Sequence, residues 1–308
     1  MANVVSLLLH SHLQPSSIPT YQRAWNLFCQ FYYDTFPASS LSLPLTPSIL
    51  ALFIAYLFRF GYAPSTAQTY VSALGYFHKL RGFPDPSKMF FISSMLKGYG
   101  KLGFRQDSRL PITLPMLHKI LESSTLVLPS HYIVLQFKAM CNFAFHAFLR
   151  IGEITWSHGK HAPRPLYLNQ IKMLQDSQGI IRALKIIFLN YKHNYNNSPF
   201  ALEIPWKQTH CPMQGLLDYL QIRGDCSGPL FINADGSPVL RSQFQANLNL
   251  VLTFCHFDLQ VYKGHSFRIG AATLAAQQGC SDAQIRIMGR WKSDAFKKYL
   301  RVESLVAS

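Results

Sequence analysis

From residue 20 onward the apolar positions recur at steps of three and four. Tyr21, Trp25, Phe28, Tyr32 and Phe36 share one face of a predicted helix, and this aromatic stripe reads as a core face rather than a base-stacking surface. The Pro/Ser-rich link from Pro37 to Pro44 ends it. Thr46-Pro47 opens a second helix through Phe60, with proline in its first turn. Pro64-Ser65 opens a third, ended by Gly82-Phe83-Pro84, and a fourth runs from Ser87 to Tyr99. With no strand signal in this half, an all-α domain is expected. Leu110-Pro111-Ile112-Thr113 opens the second half, Thr113 capping a helix through Leu121. The segment His131 to Leu149 is apolar nearly all round, so it predicts a buried helix that delivers Arg150 at its end, with Gly152 as the stop. The period then shortens to two: Leu166 to Leu174 and Ile180 to Asn190 read as strands joined at Asp176-Ser177-Gln178-Gly179, with a third strand at Phe200 to Pro205. Helices return at Met213 to Arg223 and Arg241 to His256. Three short helices follow: one from His265, stopped by Gly279; one capped by Ser281-Asp282 and stopped by Gly289; and one from Ala295 to Arg301, capped by Ser293 or Asp294. The expected class is mainly α with a small antiparallel β-sheet.

Length and charge sharpen this picture. At 308 residues the chain suggests two domains, 1–105 and 106–308, and 49% hydrophobic residues are enough for substantial cores. The formal net charge is +15. The first 105 residues hold 8 Lys+Arg and 2 Asp+Glu, and the remainder 21 and 12, so both halves are basic. Solubility alone can account for basic charge, but two basic halves suit a protein that grips a polyanion from two sides. Lys79, Arg81, Lys88 and Lys97 are candidate phosphate contacts, although a solvated helix face accounts equally well for any one of them. The six cysteines show no C-x-x-C spacing and read as reduced thiols of an intracellular protein. No Asp/Glu/His cluster has metal-ligand spacing, and no segment reaches membrane length, so neither a metal, a cofactor nor a membrane is expected.

The candidate chemistry lies between Gly264 and Arg301. His265 and Arg268 stand three apart at the start of an Ala-rich helix, which puts both on one face. Trp291 follows Arg268 by 23 residues and Tyr299 follows Trp291 by eight. With Arg150 upstream, the set suits a tyrosine attacking a phosphodiester: arginine forks neutralise the non-bridging oxygens and the phenol is the nucleophile.

The order His-x-x-Arg, Trp, Tyr resembles the C-terminal box of the tyrosine recombinases, the phage-integrase family. The wording HSFRIGAAT and GRWKSDAF with YLR is similar to recombinases of eukaryotic mobile elements, the DIRS/Ngaro and Crypton types. The run AFLRIGEI matches the family's first catalytic arginine, Arg150, with Glu153 expected to orient it. The resemblance implies an N-terminal SAM-like core-binding domain and an α+β catalytic domain. It implies a hairpin lysine beside the cleavage point, Lys192, with His193 and Lys185 as the alternatives. It further implies strand cleavage and rejoining through a covalent 3′-phosphotyrosyl intermediate without metal or ATP, on double-stranded DNA, with self-association of dimer to tetramer in synapsis, and a nuclear location in a eukaryotic host. The eight-residue interval from Trp291 to Tyr299 is one shorter than in bacterial and phage members. Two rivals share these residues: a type IB topoisomerase-like enzyme, and a domesticated DNA-binding protein without catalysis.

Overall fold

The computed structural model describes residues 17–103, 107–157, 164–189, 191, 194, 198–207 and 211–300, with the single positions 4 and 13. The chain divides into two units, Met1–Asp107 and Ser108–Ser308.

In the first unit the aromatic stripe does become a core face. Helix α1 (Ile18–Thr35) buries Phe28, Phe31 and Tyr32. Helix α2 (Pro47–Arg59) is capped by Thr46, whose hydroxyl accepts from Ile49 N at 3.4 Å. Phe28 of α1 meets Phe53 of α2 edge to face at 5.2 Å, a geometry that suits the quadrupoles of both rings. Helix α3 (Pro64–Leu80) packs on α1 through Trp25 and Phe77. Its fully buried His78 accepts from Leu45 N at Nε2 and donates to Leu74 O from Nδ1, so both ring nitrogens are satisfied. The fourth expected helix is two pieces. Asp85 accepts from Ser87 N and starts a 3-10 turn at Pro86–Lys88. Met89 is then extended (ψ 140°), and helix α4 (Phe90–Leu102) begins after it.

The second unit is built on one buried helix. Helix α5 (Leu114–Val127), capped by Thr113, runs past the expected Leu121 until Leu128, which is extended ahead of Pro129. Helix α6 (His131–His146) is buried along ten of its residues and lies against α5. Strands β1 (Ile171–Gln175), β2 (Ile181–Phe188) and β3 (Phe200–Pro205) form an antiparallel sheet in that order. The first residues of the expected β1 instead bridge elsewhere, Tyr167 pairing with Pro229, and make a 3-10 turn at Leu168–Gln170. Alternation in β2 buries Leu184, Ile186 and Phe188, while Lys185 faces Lys172 on one side and Glu203 on the other. Helix α7 (Pro212–Arg223) packs on α6, and helix α8 (Arg241–Phe254) packs on α5. Helix α9 (Ser266–Gln277) crosses the chain at Ile112 so closely that a side chain on Gly270 would come within 1.9 Å of the Ile112 carbonyl. Helix α10 (Asp282–Met288) and a 3-10 turn at Asp294–Tyr299 complete the unit. The last segment is thus a 3-10 turn, not the expected α-helix; Arg301 lies outside the described residues.

Candidate active site

Arg150 reaches its place by a turn that the sequence does not announce. Helix α6 stops at His146, three residues before the expected Leu149, and Phe148 takes a left-handed backbone (φ 52°). For a residue with a Cβ this conformation is disfavoured, so contacts from elsewhere hold it. The Phe148 carbonyl accepts from Arg268 Nη1 and from Arg290 Nη2, and Ala147 O accepts from Arg290 Nη1 at 3.4 Å. The α6 carbonyls of Phe143, Ala144 and Phe145 are capped by the backbone N–H groups of Ala147, Leu149 and Phe148, Arg268 and Arg290 take the carbonyls just past the helix, and Gly152 is not the stop. Beyond the turn Arg150 is extended (φ −80°, ψ 140°) and leads a 3-10 turn at Ile151–Glu153.

Glu153 is gripped from two sides. Its Oε1 accepts from Arg150 Nη1 at 3.2 Å, and its Oε2 accepts from Arg150 N and from Arg290 Nη2, both at 2.9 Å. Burial pushes this carboxyl up, but Arg290, Arg268 and Arg150 more than offset it, and its pKa falls below the ordinary value. Such a pair stabilises only while complete, since removing one member of a buried ion pair costs about 3–5 kcal/mol. The Arg150 side chain keeps 26% of its surface exposed, and among the described residues its one side-chain hydrogen bond goes to Glu153.

Arg268 is fully buried. Its Nη1 donates to Phe148 O and its Nη2 to Gly289 O, while its guanidinium carbon lies 4.0 Å over the Trp291 ring. Burial, with Arg150 next, lowers its pKa well below the usual arginine range, and Glu153 opposes the shift. Helix α10 ends with Gly289 in right-handed geometry, and Arg290 (φ 54°) supplies the left-handed turn expected of the glycine. Gly289 is needed for a different reason: a Cβ there would lie 1.5 Å from Trp291 Cζ3. The turn at Arg290 folds the indole back over Gly289. Counted from Arg290 the interval to Tyr299 is nine, yet Trp291 is the residue that meets the tyrosine, ring centres 5.3 Å apart. His265, at the N-cap of α9, also approaches Tyr299, with ring centres 5.0 Å apart. Thr273 of α9 donates to Tyr299 O at 3.3 Å, and Phe296 is buried beneath the same turn.

Arg150, Glu153, His265, Arg268, Trp291 and Tyr299 thus stand in one connected set of contacts. Lys192 and His193 lie outside the described residues. Lys185 is engaged across strands with Glu203 at 3.1 Å. Lys79, Arg81, Lys88 and Lys97 belong to the other unit; Lys79 pairs with Asp85 at 3.3 Å, Arg81 donates weakly to Phe77 O, and Lys88 and Lys97 are exposed. Sequence reading missed Arg290 and Phe148. The usable signal was the one-residue shortfall between Trp291 and Tyr299. Among the described residues, the buried side-chain nitrogens and oxygens without a hydrogen-bond partner are Arg268 Nε, Arg290 Nε and Trp291 Nε1, all three at this site. An orphaned buried donor costs about 1–3 kcal/mol, so three in one place is a local concentration of polar strain. No cluster of His, Cys, Asp or Glu among the described residues could hold a metal ion, and no described helix is long and apolar enough to cross a membrane.

No family model matches the sequence, and no curated protein matches it significantly. Solved structures do match in fold. A XerH site-specific recombinase bound to a palindromic difH substrate in a post-cleavage complex superimposes at TM-score 0.63 and 13% identity, covering 94% of this chain and 77% of that one. A lambda integrase dimer bound to a COC′ core site gives 0.61 at 12% identity, covering 96% and 94%. A Tn1549 transposon integrase in complex with transposon right-end DNA gives 0.58 at 10%, covering 92% and 89%. The chain has the fold of these tyrosine recombinases and integrases.

Proposed function

We propose that this chain is a site-specific DNA recombinase that cuts and rejoins duplex DNA through Tyr299. The observation that carries the reading is the convergence on one phenol. The Tyr299 ring neighbours both the His265 and Trp291 rings, the Trp291 ring lies over Arg268, and the three orphaned buried donors cluster in the same place. Phosphate oxygens are the acceptors that the partly exposed Arg150 fork and the Trp291 indole N–H suit, and cationic forks stabilise the charge that grows on them in the transition state. The Tyr299 oxygen attacks phosphorus and loses its proton, for which His265 is our candidate base. A phosphotyrosyl bond forms, the bond to the 5′-oxygen breaks, and that oxygen takes up a proton, for which Lys192 is our candidate donor. Arg150 supplies the fork that meets the non-bridging oxygens, with the Arg268 charge and the Trp291 indole N–H beside it. The linkage energy stays in the new ester, so resealing needs no ATP, metal or other cofactor.

Residues 1–105 are proposed as the core-binding domain and residues 106–308 as the catalytic domain, with Lys79, Arg81, Lys88 and Lys97 on DNA phosphates. Lys185 is proposed there only after release from Glu203. The wording around Trp291 favours recombinases of eukaryotic mobile elements, which act on DNA in the nucleus, as paired or tetrameric copies across two sites.

The test is covalent trapping on a pool of nicked duplexes of randomised sequence. Wild-type chain is expected to give adduct stable to denaturing detergent. Tyr299→Phe removes only the nucleophilic oxygen and gives none while duplex affinity holds. That affinity should fall with salt, each neutralised phosphate contributing about −0.9 to the log–log slope. Strand exchange between two selected sites supports recombination, sequence-independent plasmid relaxation supports a topoisomerase, and binding without any adduct supports a non-catalytic DNA binder.

A further inference from the structure

We propose that Arg290 is a positioning residue that aims Arg150 through Glu153, an inference that rests on the strand-transfer reading above. Its side chain is only 1% exposed, so it is neither a surface phosphate contact nor part of a solvated basic face. The guanidinium lies 3.9 Å over the Phe188 ring at the end of β2 and donates to Glu153 Oε2 at 2.9 Å. Glu153 in turn holds both the backbone and the side chain of Arg150. The line of contact therefore runs from the sheet through Phe188, Arg290 and Glu153 to the partly exposed fork of Arg150. Because Glu153 is that fork's one side-chain partner among the described residues, where it points depends on where Glu153 is held.

The backbone argues that this side chain is retained for what it does. Arg290 has φ 54° just after α10, a position that glycine occupies without strain and an L-residue does not. A chain that needed only to stop the helix would be served better by glycine. Holding the Ala147 and Phe148 carbonyls is a second task of the same guanidinium, so loss of stability and loss of aim must be separated.

Three variants of the full chain separate them on a duplex recovered from the nicked pool with wild-type protein. Arg290→Gly suits the left-handed backbone and removes the side chain. Arg290→Met with Glu153→Gln removes both members of the buried pair, and with them the carboxylate that Arg150 and Arg268 share. Arg290→Lys keeps a charge without the planar fork. The expected result is that the first two fold, bind duplex within about threefold of wild type, and form adduct about 10²-fold more slowly, as a misplaced catalytic group does. Arg290→Lys should recover part of that rate. Wild-type cleavage by either folded neutral variant overturns the inference and leaves strand transfer standing. Absence of adduct from the wild-type chain itself overturns the strand-transfer reading, and the inference with it.

Discussion

The guanidinium carbon of Arg268 lies over the indole of Trp291, 4.0 Å from the ring centre, with no surface left to solvent. A desolvated cation over an aromatic face is worth about 2 kcal/mol. That is less than the cost of an unpaired buried charge, so the carbonyls of Phe148 and Gly289 and the nearby carboxylate of Glu153 are needed as well. Arg268 is therefore a keystone of the unit's packing as well as a member of the candidate site.

Arg150 and Arg268 should respond differently to lysine. Arg150→Lys loses the planar fork at a partly exposed position, so cleavage should fall on the order of 10²–10³-fold with little change in thermal unfolding. Arg268→Lys cannot reach two carbonyls at once and should lose stability by about 2–3 kcal/mol along with cleavage. Thermal melts beside trapping rates check this, and equal melting temperatures for the two variants would count against the buried role of Arg268.

Two glycines offer an opposed pair. Gly289→Ala puts a Cβ 1.5 Å from Trp291 Cζ3, and the ring cannot retreat without losing Arg268 and Tyr299. It should cost about 1–3 kcal/mol as overpacking does and reduce adduct formation. Gly98 lies inside α4, and a Cβ added there would meet nothing within 4 Å, so Gly98→Ala should gain about 0.4–1 kcal/mol by restricting the unfolded chain. Denaturant unfolding of both variants tests the pair; a neutral Gly289→Ala would mean the indole has room to move.

His146 predicts an acid-sensitive window. Burial first, then Lys207 and His118, push its pKa down to about 4. The unfolded chain takes up a proton near the ordinary value of about 6.5, whereas the folded chain does so only lower. Stability from the neutral ring is therefore complete above pH 6.5 and lost as pH falls toward about 4. At most about 3.5 kcal/mol is involved, from roughly 1.4 kcal/mol per pH unit. Unfolding measured across that window should show the loss, and His146→Gln should flatten it.

Local rules placed most of the elements. Thr46, Thr113 and Ser281 cap helices where the sequence puts caps, and alternation in β2 sends Leu184, Ile186 and Phe188 inward. These signals act within a few residues, so they survive in the sequence. The order His265, Arg268, Trp291, Tyr299 likewise named residues that the fold brings together. Among the described residues Phe148, His256 and Arg290 take a left-handed backbone without being glycine, and the two at the site, Phe148 and Arg290, are what the sequence could not reveal. Both are held by hydrogen bonds between residues 120 and 142 positions apart, Arg268 and Arg290 to the Phe148 carbonyl. Local propensity disfavours each turn alone. Only the packed unit, which brings those carbonyls and guanidiniums together away from water, makes the turns the lower-energy choice. It thereby decides which arginine is buried and which faces outward.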